Sequence, residues 1–243
     1  MQQTVKVNYG IDAPGVIRNL FVAAFAALLI GLLGPAVIKL GAVQIESNGF
    51  IWMGLSVGLG GLWMLVYSVY GKYIHRDRML NLVSWRGDEH ALDIGTGRGL
   101  LLIGIAKRLS TGKATGIDVW NAQDLSANNA DNTYQNAHAE GVADKVEVLN
   151  ENAMHMSFND ESFDLVFTNE CIHNIAKAAD RARACAEIIR VLKPHGTAII
   201  SDHTHMAEYQ KFFKAAGCEV EMINPYYLAA YPPLRILRIK KSR

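Results

Sequence analysis

The stretch that most constrains this chain is Ala91-Leu92-Asp93-Ile94-Gly95-Thr96-Gly97-Arg98-Gly99-Leu100-Leu101. An apolar run arrives, three glycines alternate with other residues, and an apolar helical pattern leaves. That reads as strand, tight turn, helix. Glycine admits positive φ and lets a ligand approach the main chain. The helix start offers unpaired N–H groups. Such a turn belongs in an open α/β sheet, with a nucleotide-type ligand beyond the carboxyl ends of the strands.

Two fingerprints compete for it. Dinucleotide folds space their glycines Gly-x-Gly-x-x-Gly. Here the third glycine comes one residue early and Leu100 holds its place. Asp93 would repel a pyrophosphate, whereas a sulfonium or ammonium beside a carboxylate gains Coulomb energy. At these residues the chain resembles the class I S-adenosylmethionine (SAM)-dependent methyltransferases, whose first motif is Asp/Glu-x-Gly-x-Gly-x-Gly. The resemblance implies SAM as cofactor, with Asp93, Gly95, Thr96, Gly97 and Gly99 around it.

The rest of the C-terminal part alternates. Strands are predicted at residues 90–94, 114–119, 145–149, 163–168, 196–202, 219–223 and 234–239. Helices are predicted at 100–109, 124–140, 178–192 and 206–216. Alternation of this kind makes a parallel sheet covered on both faces. The last two strands are joined without a helix, so one of them should run antiparallel. The resemblance implies the same fold class: α/β, a Rossmann-like seven-stranded, mostly parallel sheet.

Strand ends should then carry the site. Asp118 follows Gly99 by nineteen residues, where an acidic side chain can accept from both ribose hydroxyls; capping the next helix is its structural alternative. By resemblance, Val119 and Trp120 line the adenine. Asn152-Ala153 stands where the family usually has Asp-Ala, and an amide carbonyl can still meet the adenine amino group. Asn169 should border the methionine part of SAM. Glu170 and His173 follow as candidate catalytic residues, His173 as a general base because imidazole titrates near neutral pH. His203 and His205 would face one way on an extended chain and are candidate substrate contacts, with Tyr226, Tyr227 and Tyr231 as a pocket wall. No metal site is predicted. Arg190-Val191-Leu192-Lys193-Pro194-His195-Gly196 resembles a structural turn of the family, with His195 in a glycine's place. Together these motifs place the resemblance over residues 72–223, nearest the small-molecule, ubiquinone/menaquinone-biosynthesis type.

The N-terminal part has another character. Of 24 basic and 23 acidic residues, only Lys6, Arg18, Lys39, Asp12 and Glu46 precede residue 71; the remainder cancel, leaving no global field for nucleic acid. Residues 20–38 and 48–70 carry no charge, and about 20 helical residues cross a bilayer core. We therefore expect two transmembrane helices, about 19–39 and 48–70, as a membrane anchor over 1–70. Small residues at four-residue spacing (Ala23, Ala27, Gly31; Gly54, Gly58) suit close packing with each other or with a second copy. Positive flanks put both termini and the catalytic domain in the cytoplasm. Three cysteines without paired spacing fit a reducing compartment. Residues 71–89 read as an amphipathic linking helix ending near Gly87, and 90–243 as the methyltransferase domain.

The sequence thus leads to a membrane-anchored SAM-dependent methyltransferase for a small, lipophilic acceptor, with membrane lipids and a homo-oligomer as further partners. Two alternatives stand: a membrane-tethered SAM-binding sensor or scaffold without turnover, and an NAD-dependent oxidoreductase.

Overall fold

The structure is a computed structural model and describes residues 7–121, 125–126, 128–226 and 232–242. It opens with α1 (Pro14–Leu33), a small antiparallel hairpin of β1 (Val37–Leu40) and β2 (Val43–Glu46), and α2 (Gly49–Val66). A π-helical turn over Tyr67–Gly71 joins α2 without a break to α3 (Lys72–Leu80). The sheet domain follows: β3 (His90–Ile94), α4 (Leu100–Ala106), β4 (Lys113–Asp118), α5 (Ala130–Ala139), β5 (Val146–Asn150), β6 (Phe163–Asn169), α6 (Ala178–Val191), β7 (Leu192–Asp202), α7 (Met206–Ala215), β8 (Glu219–Ile223) and β9 (Arg235–Lys240).

The seven strands lie in the order β5-β4-β3-β6-β7-β9-β8. β9 is antiparallel to both its neighbours; the five strands from β5 to β7 are parallel. The strand order reverses between β3 and β6, where a doubly wound sheet leaves its ligand crevice. Strand residues alternate between two cores. Leu92, Ile94, Val166, Ala198 and Ile200 join Cys185, Ile188, Tyr209 and Phe213 of α6 and α7. Ala91, Leu165, Phe167 and Ile199 join Met79, Leu80, Leu102, Ile105 and Ala137 of α3, α4 and α5. The period of two along each strand therefore fills both faces.

Several boundaries move. The first apolar helix begins five residues before the predicted 19 and stops at Leu33, because Gly34 precedes Pro35 and is held extended (ψ 165°). Residues 34–39 are thus outside the helix. The linking helix is no separate element: it continues α2 and ends at Leu80, whose carbonyl accepts the Trp85 indole N–H at 2.8 Å. The helix predicted from 124 starts at Ala130, with Asn129 as a side-chain cap on Asn132 N; residue 124 lies outside the described residues. His195 takes φ 62°, the conformation a glycine would adopt more cheaply.

α1 and α2 pack on each other through small residues. A Cβ on Gly31 would lie 2.8 Å from the Ile51 backbone nitrogen, and one on Gly54 2.8 Å from the Ala24 carbonyl. Ala27, Gly31, Gly54 and Gly58 of the predicted small-residue rows face this seam, while Ala23 points outward and Ala24 takes its place. Residues 7–13 form a strap across the domain. Asn8 and Asn136 exchange two 2.9 Å hydrogen bonds, Ile11 N donates to Ser126 Oγ, and Ser68 Oγ binds Asp12. Buried Lys72 donates to the Tyr9 and Gly10 carbonyls and pairs with Asp12 at 3.4 Å.

Candidate active site

The glycine turn sits between β3 and α4. Gly95, Gly97 and Gly99 take φ 77°, 52° and 84°. Gly95 N and Thr96 N both donate to the Ile117 carbonyl, at 2.8 and 3.1 Å. A Cβ on Gly95 would lie 2.5 Å from the Cys171 side chain, so this glycine is required by space as well as by φ. The Asp118 carboxylate ties two turns together: Oδ2 accepts from Gly97 N at 2.8 Å and Oδ1 from Trp120 N at 2.7 Å. Asp93 is buried and accepts from Thr96 Oγ1 at 2.9 Å. Burial pushes its carboxyl up to about 7; Asp118 adds to this and the Thr96 hydroxyl opposes it.

The ends of β6 and β7 supply a second group. Glu170 is left-handed (φ 49°) and its N–H donates to the Ser201 carbonyl at 2.9 Å. Its carboxyl accepts from Tyr67 Oη at 3.2 Å and faces His203 Nδ1 at 3.8 Å. Desolvation, with Asp12 and Asp202 next, pushes it up to about 7. His173 Nδ1 lies 2.8 Å from Asp202 Oδ1. The backbone N–H groups of His173 and His203 donate to the same carboxylate, at 3.2 and 2.9 Å. The two imidazoles meet edge to face at 4.4 Å. The Asp202 carboxylate therefore fixes the loop that carries His173 through its backbone N–H and lies beside the imidazole Nδ1. Donor atoms of His173, Asp202 and His203 also lie within 4.8 Å of one another; no metal was expected here, and the pair expected to act together was His203 with His205.

One cavity of about 1030 Å³ brings most of the predicted residues together. Asp93, Gly95, Thr96, Gly97, Asp118, Val119, Asn152, Ala153, Asn169, Glu170, His173 and His203 line it. Gly99 and Trp120 lie behind the wall: Gly99 caps α4, and Trp120 holds Asp118 through its N–H. His205 is left-handed (φ 57°) and turns to Glu208 at 3.5 Å, so the alternation that would align it with His203 is broken. Tyr226 is exposed and away from the cavity. Tyr227 and Tyr231 lie outside the described residues. The N-terminal part adds residues no motif announced: Tyr9, Asp12 and Ala13 from the strap, Val16 of α1, Met64 of α2 and Lys72 of α3.

The lining suits a cationic ligand with several donors. Asp93, Asp118 and Glu170 present carboxyl groups, and Asn169 Oδ1 is buried with no hydrogen-bond partner among the described residues. SAM carries an ammonium, a sulfonium, two ribose hydroxyls and an adenine amino group to meet them.

Comparison with known proteins bears on the same residues. Residues 92–200 match a family model described as a methyltransferase domain. The similarity to a methyltransferase domain over these residues supports SAM as the cofactor. The demethylmenaquinone methyltransferase of Lactiplantibacillus plantarum is 35% identical over 135 residues, covering 49% of this chain and 53% of that protein. The chain spans about half the length of the curated relatives it matches. Among solved structures, a SAM-dependent methyltransferase from Aquifex aeolicus is similar in fold (TM-score 0.54, 19% identity, 68% of this chain and 88% of that one). The [4+2]-cyclase SpnF is similar in fold over 96% of this chain and 99% of its own (TM-score 0.56, 17% identity).

Sequence reasoning missed Asp202 and Tyr67, which back His173 and Glu170 at the cavity wall. Asp202 was readable, as the acidic residue closing the strand before His203. Tyr67 was not, since it reads as one more aromatic at the end of an apolar helix.

Proposed function

We propose that this protein is a membrane-anchored methyltransferase acting on a small lipophilic acceptor. One observation carries the reading. The cavity that collects the cofactor-type carboxylates is also lined by His173, which Asp202 backs from behind the wall, and by Val16 and Met64 at the feet of two long apolar helices. Its volume of about 1030 Å³ stands at the top of the roughly 300–1,000 Å³ range of small-molecule sites, as a site for cofactor and acceptor together would.

Bound SAM supplies an electrophilic methyl group. The chain's residues divide the remaining work. Asp118 and the turn glycines hold the adenosine end, with Asn152 and Ala153 near the adenine. Asp93 and Asn169 face the charged amino-acid end. Holding acceptor and methyl donor together in this cavity would supply most of the rate by positioning. His173, oriented by Asp202, takes the proton when the acceptor is a hydroxyl or an amine. Glu170 and His203 stand on the acceptor side.

Residues 1–70 serve as the anchor and 90–243 as the catalytic domain. Pro14–Leu33 and Gly49–Leu80 are long and apolar enough to cross a membrane, with only 17% and 11% of their most apolar windows buried. A core helix of a soluble domain would be mostly covered. Trp52 and Tyr70 stand 73% and 70% exposed near the two ends of the second helix, where interfacial aromatics sit. With both termini cytoplasmic, the cavity lies close to the bilayer.

The test is incubation of detergent-solubilised full-length protein with methyl-labelled SAM and a membrane lipid extract. A labelled lipid together with released S-adenosylhomocysteine is the expected result. SAM binding without release would make the protein a sensor or scaffold. Labelling of water-soluble metabolites only, with full activity after deletion of residues 1–70, would remove the lipophilic acceptor and the role of the anchor.

A further inference from the structure

The long second helix changes character at residues 67–71, where one π-helical turn interrupts it. A π-turn takes in an extra residue and rotates the following side chains; such turns recur at functional sites. Here it buries two adjacent residues, Tyr67 against the sheet domain and Ser68 against Asp12 of the strap, 6% and 2% exposed, while Val66, Val69 and Tyr70 stay outside. Below it the buried face runs on through Lys72, His75 and Met79. Tyr67 packs its ring on Leu234 and sends its hydroxyl to Glu170 Oε2 at 3.2 Å. Glu170 is itself a non-glycine residue in left-handed backbone. Strain of that kind persists only where the surroundings fix it, and it clusters at sites.

We propose that Tyr67 is a positioning residue of the acceptor site: its hydroxyl holds the Glu170 carboxyl in place, which makes the second hairpin helix part of the active site as well as an anchor. The assignment rests on the methyl-transfer reading only for its activity readout. The groups facing Glu170 are Asp12 from the strap, Lys72 from α3, His173, and Asp202 and His203 at the end of β7. Asp12 and Asp202 disfavour a charged carboxylate, and His173 and the Tyr67 hydroxyl favour it. Loss of the hydroxyl therefore raises the pH at which Glu170 ionises and frees its rotamer.

Tyr67→Phe keeps the ring and its packing, and is made in the full-length protein in detergent. The Glu170 carboxyl is followed by ¹³C NMR of labelled glutamate, assigned with Glu170→Gln. Its titration midpoint should be higher in Tyr67→Phe than in wild type. With labelled SAM and a membrane lipid extract, turnover near neutral pH should fall about tenfold while the KM for SAM stays within about twofold, as expected for one lost hydrogen bond to a charged group. The acid limb of the pH profile should move upward. In a Glu170→Gln background, Tyr67→Phe should add nothing, because both act through one group. An unchanged titration midpoint in Tyr67→Phe, or losses that simply add in the double variant, would overturn the proposal. A wild type that labels no lipid would instead remove the methyl-transfer reading, while the titration midpoint still decides whether Tyr67 holds Glu170.

Discussion

The hairpin and the sheet domain are both rich in apolar residues, and they use them in opposite ways. In the domain, large side chains face inward: Phe167, Ile199, Leu237 and Phe213 are fully covered by strands and helices. In the hairpin, the buried positions of the two helices are Ile17, Ala24, Ala27, Gly54 and Gly61, almost all small. The large side chains face out, Phe25 at 64% and Trp52 at 73% exposure. A domain in water hides bulk because apolar area costs free energy there. Two helices in an apolar solvent gain nothing by hiding bulk and pack by backbone approach. The same composition is arranged as two different solvents would demand, which is what the proposed anchor requires, and the cavity is lined by residues of both regions.

That contrast can be broken at either end. The largest effect should come from Asp118→Ala in the domain. It unties Gly97 N and Trp120 N at once, and SAM affinity by calorimetry should fall on the order of 100-fold or more; normal binding would sink the cofactor geometry. His173→Ala should cost turnover by about 100-fold for a hydroxyl or amine acceptor while SAM binding is kept. Titration of SAM affinity from about pH 8 to about pH 6 should show a loss of up to roughly tenfold, because a carboxyl with its pKa near 7 gains a proton and drops its charge as pH falls. Asp93, held up to about 7 by burial, is the group responsible, so Asp93→Asn should bind weakly at every pH and flatten the curve. On the hairpin side, Gly54→Val forces a side chain into Leu28 and the Ala24 carbonyl. It should lower the melting temperature in detergent, yet leave SAM affinity of the folded protein within about twofold, since distant sites act independently. The smallest effect is the sharpest for His173: a chelator should leave turnover unchanged, and a loss restored by zinc or manganese would replace the histidine–carboxylate pair with a metal centre.

Local signals made much of this legible. Strands buried on both faces leave short apolar runs, and three glycines at alternate positions leave little choice of backbone. The sheet and its one reversed strand follow from those runs and from the helix-free link near the C-terminus. The hairpin was legible from absence of charge alone, but its edges were not. Pro35 reads as tolerable inside a membrane helix, whereas it stops this one. Lys72 reads as the polar end of a span, whereas it is buried beneath the strap and the helix runs on to Leu80. In the site, Asp93, Asp118, Asn169 and His173 follow from their places at strand ends. The misread residue, His205, fails for a conformational reason, since one left-handed residue undoes the alternation that two histidines suggest. Tyr67 and the strap were hidden because their partners are distant in sequence: Glu170 stands 103 positions from Tyr67, and Asn136 stands 128 from Asn8.

The last of these distances sets an order of assembly. Residues 7–13 leave the ribosome before any of the sheet exists, yet their anchor points on α5 and at Ser126 are made much later in synthesis. Contacts of such span bring their free energy only after the intervening chain is arranged. The strap is thus made before the residues that hold it, and its closure reports that Ser126 and α5 are in place.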